Sequence, residues 1–288
     1  MAAWMSQDRF SSDDPRDYLR LVGTQADDAI DLAEAALAFA AIDNPQCPVA
    51  RYREHLQAIA RDVAEEAKRL SAGPDTLGAR TMILNEVIFA RHGYRGDSHN
   101  YDDLQNANLM RVIDRRRGLP VSLGIIYIHA GRAQNWDVTG INFPAHFMVR
   151  LSHSGQRAII DPFNEGTVRE VSELREMIKT SHGENAALHP EHYAAVGSRD
   201  VLLRLQNNLK LRLCQSDDNA RAVKVVENMM LIAPDEVGLW HDLGALRGKT
   251  GNLRAAISAL ETFLGRAGQN AHRHQAAALL QELRTKLN

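Results

Sequence analysis

Cysteine is nearly absent: Cys47 and Cys214 are far apart, with no Cys-x-x-Cys pair between them. That excludes a disulfide framework and a thiolate metal site, and it suits a reducing, cytoplasmic compartment. Long apolar runs are also missing. Ala33–Ile42 contains Glu34 and is too short to span a bilayer, and the opening MAAWMSQDRFSSDD lacks the basic stretch and apolar run of a signal peptide. No membrane segment is expected. Neither charge is in excess, with 34 Lys and Arg against 36 Asp and Glu, so the basic domain that nucleic-acid binding calls for is not there. Nine prolines and 19 glycines leave no room for long disordered tracts. No phosphate loop, dinucleotide fingerprint or Gly-x-Ser-x-Gly elbow occurs. His182, His189 and His192 share one loop, and His272 and His274 one helix, but neither set has a ligand spacing. No metal and no cofactor are therefore expected.

What is present is an ordinary globular balance, 44% hydrophobic and 24% charged, long enough for one large or two moderate domains. Met1 to Asp17 reads as polar and loose. Helical spacing then runs from a cap at Thr24 to Asn44-Pro45, from Pro48 to Leu70 with Tyr52, Leu56, Ile59 and Val63 on one stripe, and from Thr76 to His92. Asp102 to Arg115 and Thr167 to Lys179 are also expected to be helical. Arg115-Arg116-Arg117 reads as a solvated helix end. From Ser198 the chain becomes helix pairs with a period of 34: Leu209 with Leu243, Ala222 with Ala256, Val226 with Leu260. Trp240-x2-Leu243-Gly244 followed by Ala256-x3-Leu260 is the tetratricopeptide signature. Two repeats rarely bury enough surface alone, so they are expected to dock on the rest. Cys214 falls on the apolar stripe of a repeat helix and reads as core.

The chemistry concentrates between Arg115 and Gly166. Pro120 suits the first turn of a helix over 119–134. Val138 to Asn142 reads as a strand. Phe147, Val149 and Leu151 alternate with Met148 and Arg150 as in a half-buried strand, and Ala158 to Asp161 returns after a polar turn. A hairpin then sets His146 beside Asp161. An imidazole oriented by a carboxylate near a helix start is the geometry of a Cys-His-Asp thiol site. The alternative readings are structural: a strand histidine satisfied by Asp161, and an Asp-Pro turn cap that includes Asn164.

The run resembles the transglutaminase-like (papain-like) fold, in its bacterial branch fused to tetratricopeptide repeats, the SirB-type proteins. Asn106, Leu109, Val112, Arg116, Gly118, Pro120, Ser122 and Leu123 carry the likeness, followed by Gly140, Phe143, Pro144, His146, Phe147, Arg150 and Asp161 to Asn164. Upstream, Gly93-Tyr94 with Gly96 and Tyr101 also fit. That resemblance implies a catalytic Cys after Gly118, but Pro120, Val121, Ser122, Leu123 and Gly124 stand there. Ser122 is the hydroxyl closest to the nucleophile position; it can be a nucleophile, a first-turn hydrogen bonder or a packed core residue. Aligning Arg132 and Trp136 with later family features puts the missing Cys nearer Pro120. Cys47, just before Pro48 at a helix start, is the other candidate thiol.

The expected fold is α+β. A helical N-terminal subdomain (1–92) precedes a transglutaminase-like core with a small antiparallel sheet (93–197), and all-α repeats follow (198–288). Because His146 and Asp161 persist while the nucleophile does not, and because repeats of this kind serve protein recognition, the expected function is a non-catalytic scaffold or regulator, a pseudoenzyme that binds a protein or peptide through its repeats and vestigial cleft. The alternative is a hydrolase or acyltransferase acting on amides or esters, with His146 as base, Asp161 as orienter and Ser122 or Cys47 as nucleophile. In a third reading the His146–Asp161 pair only stabilises the sheet.

Overall fold

A computed structural model describes residues 14–268 and 271–287. The polar segment before Asp14 lies outside the described residues. The chain forms two compact units, one of residues up to Tyr18 with Gln25–Leu205, the other of Leu19–Thr24 with Gln206 onward.

Helix α1 (Pro15–Thr24) is divided between the two units and ends at Thr24, and helix α2 (Leu32–Asp43) of the first unit follows it. Thr24 therefore ends a helix instead of capping one. The cap of α2 is Asp31, whose side chain accepts from Glu34 N at 3.0 Å. Helix α2 is buried from Leu32 to Ala41 without a polar face, as a central helix must be. Helix α3 (Ala50–Arg69) buries Tyr52, Leu56, Ile59 and Val63 on the expected stripe. Helix α4 (Leu77–Asn85), capped by Thr76, widens into a π-helical turn over Glu86–Arg91. The segment read as one helix over 102–115 is a 3-10 turn at Leu104–Ala107 and a short α5 (Leu109–Arg115), because Asn108 interrupts it by capping α5. The two-residue strands β1 (Arg95–Gly96) and β2 (Arg117–Gly118) pair in parallel.

Helix α6 (Pro120–Arg132) starts with Pro at its first position and is almost wholly buried. It lies on a five-stranded sheet ordered β6 (Thr167–Val168), β5 (Gln156–Asp161), β4 (Met148–His153), β3 (Asp137–Ile141), β7 (Ala195–Val196), all antiparallel neighbours. The approach is close at Gly124: a Cβ there would stand 2.5 Å from Phe147 Cε1. The half-buried alternation expected for β4 does not hold at its start. Phe147, Met148 and Val149 are all buried. The sheet is covered on both sides there, because Met148 packs with Ile141, Phe143, Leu174 and Ile178, the last two from α7 (Val171–His182). That helix begins four residues later than its spacing suggests, since Thr167–Val168 pairs with β5 first. The arginine run is not simply solvated either. Arg115 pairs with Asp97 at 2.8 Å, and Arg116, in a left-handed conformation, lies over the Tyr94 ring.

Helix α8 (Ser198–Gln215) begins in the first unit and continues into the second. The second unit then stacks α9 (Asn219–Ile232), α10 (Val237–Lys249), α11 (Leu253–Arg266) and α12 (Ala271–Leu287). All six residues of the 34-residue period are buried, from 7% exposure at Leu209 to none at Ala222, Val226, Ala256 and Leu260. Gly244 lets α10 and α11 meet, for a Cβ there would be 2.6 Å from Leu260 Cγ.

Candidate functional site

His146 stands just ahead of β4, after a tight turn in which its N–H donates to the Phe143 carbonyl at 3.1 Å. Asp161 is the last residue of β5 and is fully buried. The hairpin of β4 and β5 brings them together, and His146 Nε2 lies 2.9 Å from Asp161 Oδ1. The imidazole is 16% exposed, with Phe163 edge-on at 6.2 Å between ring centres and Tyr101 edge-on to Phe163. With Nε2 committed to Asp161, Nδ1 is the nitrogen left for other work.

The carboxylate is heavily held. Oδ1 also accepts from the backbone N–H of Phe163 and Asn164, and Oδ2 from Asn164 Nδ2 at 2.8 Å and Arg169 Nη2 at 2.8 Å. Burial alone pushes this acid up. The hydrogen bond and charge of His146, with the bonds from Asn164 and Arg169, outweigh it and hold Asp161 well below the usual carboxylate range. Arg169 is in turn paired with Glu173 at 3.1 Å. Asp161 thus caps its turn and orients an imidazole at once.

Ser122 is fully buried in the first turn of α6, and its hydroxyl donates to the Asn106 carbonyl at 2.6 Å. The same carbonyl accepts from Leu119 N at 3.2 Å. Asn106 is itself fully buried, donating to Asn100 O and accepting from Arg115 Nη1. The Ser122 hydroxyl therefore pins the start of α6 to the preceding loop, and its bond is to a carbonyl, not to His146. Cys47 lies between α2 and α3. Its thiol is 3.3 Å from Tyr52 Oη and 3.9 Å from Arg51 Nη2, and both of those side chains bond Asp114. His146 and Asp161 are not among its partners. Pro120, at the first position of α6, is buried and carries no nucleophile. Arg169 escapes the reading of residue patterns as a support of the site, and Asn106 enters that reading only as part of the family likeness. Arg169 stands eight positions beyond Asp161 with no motif around it, and only the turn back through β6 gives it a partner.

Among the described residues no group of three His, Cys, Asp or Glu side chains is placed to hold a metal, and no helix is long and apolar enough to cross a membrane. A His–Asp pair on a hairpin against a buried helix, followed by stacked helix pairs, defines a transglutaminase-like domain joined to repeats. Residues 50–207 match the family model of the transglutaminase-like superfamily and residues 209–281 that of the tetratricopeptide repeat. The chain belongs to the transglutaminase-like superfamily, with a tetratricopeptide region following. Its relatives include the UPF0162 protein of Xylella fastidiosa (strain Temecula1), 27% identical over 251 residues, covering 84% of this chain and 86% of that one. The UPF0162 protein of Vibrio cholerae is 29% identical over 238 residues, with coverages of 82% and 86%. Human F-box only protein 21 is 28% identical over 134 residues, which are 44% of this chain and 20% of that protein. The SirB-type resemblance is compatible with these matches, and the domain pair is compatible with a role in protein interaction.

Proposed function

We propose that this chain is a non-catalytic transglutaminase-like scaffold or regulator, a cytoplasmic pseudoenzyme. It binds a protein or peptide partner through its repeats and the remnant of its cleft. In this reading 1–92 and 93–197 build the cleft and 198–288 the recognition module. His146, Asp161 and Ser122 occupy the former triad positions. The observation that carries the reading is that neither residue at the start of α6 that can stand for the absent thiol offers a nucleophile: Pro120 has none, and the buried Ser122 hydroxyl is bonded to the Asn106 carbonyl. A hydroxyl that must first break that bond, and that makes none to His146, is a poor nucleophile.

The test is direct. A fluorophosphonate probe leaves Ser122 unlabelled, and iodoacetamide reaction at Cys47 is indifferent to His146→Ala. Labelling of Ser122 that disappears in His146→Ala would establish the hydrolase or acyltransferase reading instead. Partner affinity is expected to fall with repeat-face changes such as Leu211→Glu, a position 56% exposed on α8.

A further inference from the structure

The loop that carries the partners of Asp161 is itself held from behind. After the Pro162–Asn164 turn the chain reverses through Glu165 at φ +53° and Gly166 at φ +75°, two left-handed residues in succession. Glu165 has a Cβ that disfavours that conformation, so the reversal has to be fixed by its surroundings. Gly166 N–H closes it on the Asp161 carbonyl at 2.9 Å, and Thr167 Oγ1 donates to the Asn164 carbonyl at 2.7 Å. The path at Gly166 also decides where β6 begins. Thr167 stands opposite Asp161, and Arg169 then reaches the Asp161 carboxylate.

The outside hold on Gly166 is Asn85, from a distant part of the chain. Asn85 is the last residue of α4, where the helix widens into its π-helical turn. Its Nδ2 donates to the Gly166 carbonyl at 2.9 Å, and its Oδ1 accepts from the Tyr127 hydroxyl at 3.2 Å. Tyr127 lies on α6 and its ring is fully buried, so packing fixes the ring and the hydroxyl orients the amide. A Cβ on Gly166 would run into that amide, which leaves no room for a side chain there. The contacts therefore run from Tyr127 on the buried helix through Asn85 and Gly166 to Asp161 and the His146 imidazole.

We propose that Asn85 is a positioning residue of the His146 site: through Gly166 it fixes the Asp161 carboxylate against His146 Nε2, and so decides which imidazole nitrogen is left for a partner. A carboxylate on Nε2 keeps the proton of the neutral ring there and leaves Nδ1 bare. The proposal rests on the reading of His146 and Asp161 as the remnant cleft, and it adds a residue that neither the triad positions nor the family likeness contains.

The test reads the tautomer of His146 in the full chain, carrying nitrogen-15-labelled histidine, by NMR of the imidazole nitrogens at about pH 8, above the ordinary histidine range. His146→Gln identifies its signal among the 12 histidines. The parent chain is expected to show the His146 proton on Nε2. In Asn85→Ala that excess falls several-fold and the two nitrogen shifts move towards each other, as in an imidazole that exchanges freely between tautomers. Tyr127→Phe keeps the ring, removes only the hydroxyl and moves the balance the same way, so it decides the matter even if Asn85→Ala fails to fold. Val63→Ala, a core truncation on α3 of the same unit, lowers the urea midpoint and leaves the balance unchanged. A lowered midpoint in Asn85→Ala with the parent balance intact overturns the proposal, because Asn85 is then only structural. A shift in Val63→Ala as large as that in Asn85→Ala overturns it too. A parent chain without the Nε2–H excess overturns the His146–Asp161 geometry and the proposal together, whereas an excess that Asn85→Ala and Tyr127→Phe leave untouched overturns the proposal alone.

Discussion

Removing the hydroxyl of Ser122 strands part of the Asn106 carbonyl inside the protein, with Leu119 N its remaining donor. Ser122→Ala is expected to cost about 1–2 kcal/mol of stability, the scale of a buried hydrogen bond whose partner is left behind, measured by urea unfolding. Asp161 is a harsher case. Asp161→Ala leaves the Arg169 guanidinium, the imidazole and two backbone N–H groups without their acceptor. A loss of about 3–5 kcal/mol is expected, as for breaking a buried pair. Arg169→Met, which removes one donor and keeps the rest, costs less by the same measurement. A histidine in a motif and an Asp-Pro turn could be read as a pair from residue order alone. Their depth and the Arg169 prop could not, because both depend on where β6 turns back.

At the scale of elements, the contact between α6 and the sheet is set by Gly124, which leaves room for the Phe147 ring. Gly124→Ala improves helix propensity but overpacks that ring. A net loss of about 1–3 kcal/mol is expected, checked by the urea midpoint with the far-ultraviolet spectrum unchanged. Periodicity located most helices and all three long strands, since burial of one face forces a spacing of 3.6 or 2. It failed where burial is two-sided. The start of β4 is covered on both faces, so alternation disappears at Met148. It also missed α1, whose cap-like Thr24 is a helix end, and the pairing of Thr167–Val168, which delays α7.

For the whole molecule the expected signature is a two-step acid sensitivity. Burial, with the charges of Arg116 and His92 nearby, lowers His55 to about 4, and its Nε2 lies 2.9 Å from Tyr94 Oη. Its folded value is below the unfolded one of about 6.5, so the folded state disfavours the protonated ring. Stability from His55 is complete above about pH 6.5 and is lost as the pH falls towards 4. Asp161, also depressed, contributes in full above its unfolded value of about 3.9, and that contribution is lost only at lower pH. Urea midpoints taken from pH 7.5 to 3 should fall through both windows, and His55→Gln should flatten the upper one alone. A curve unchanged by His55→Gln would contradict the assignment.

By itself the sequence determined the class of the protein. The helical and 34-residue periods, the Phe143-Pro144 turn before His146, the Asp161-Pro162 turn and the missing cysteine are local or repeating features, which chain order carries. Only the tertiary structure decided which way the Ser122 hydroxyl turns, that Arg169 holds Asp161, and that Cys47 keeps company with Tyr52. Those depend on groups distant along the chain meeting at ångström spacing, and no local pattern of residue types encodes that closeness.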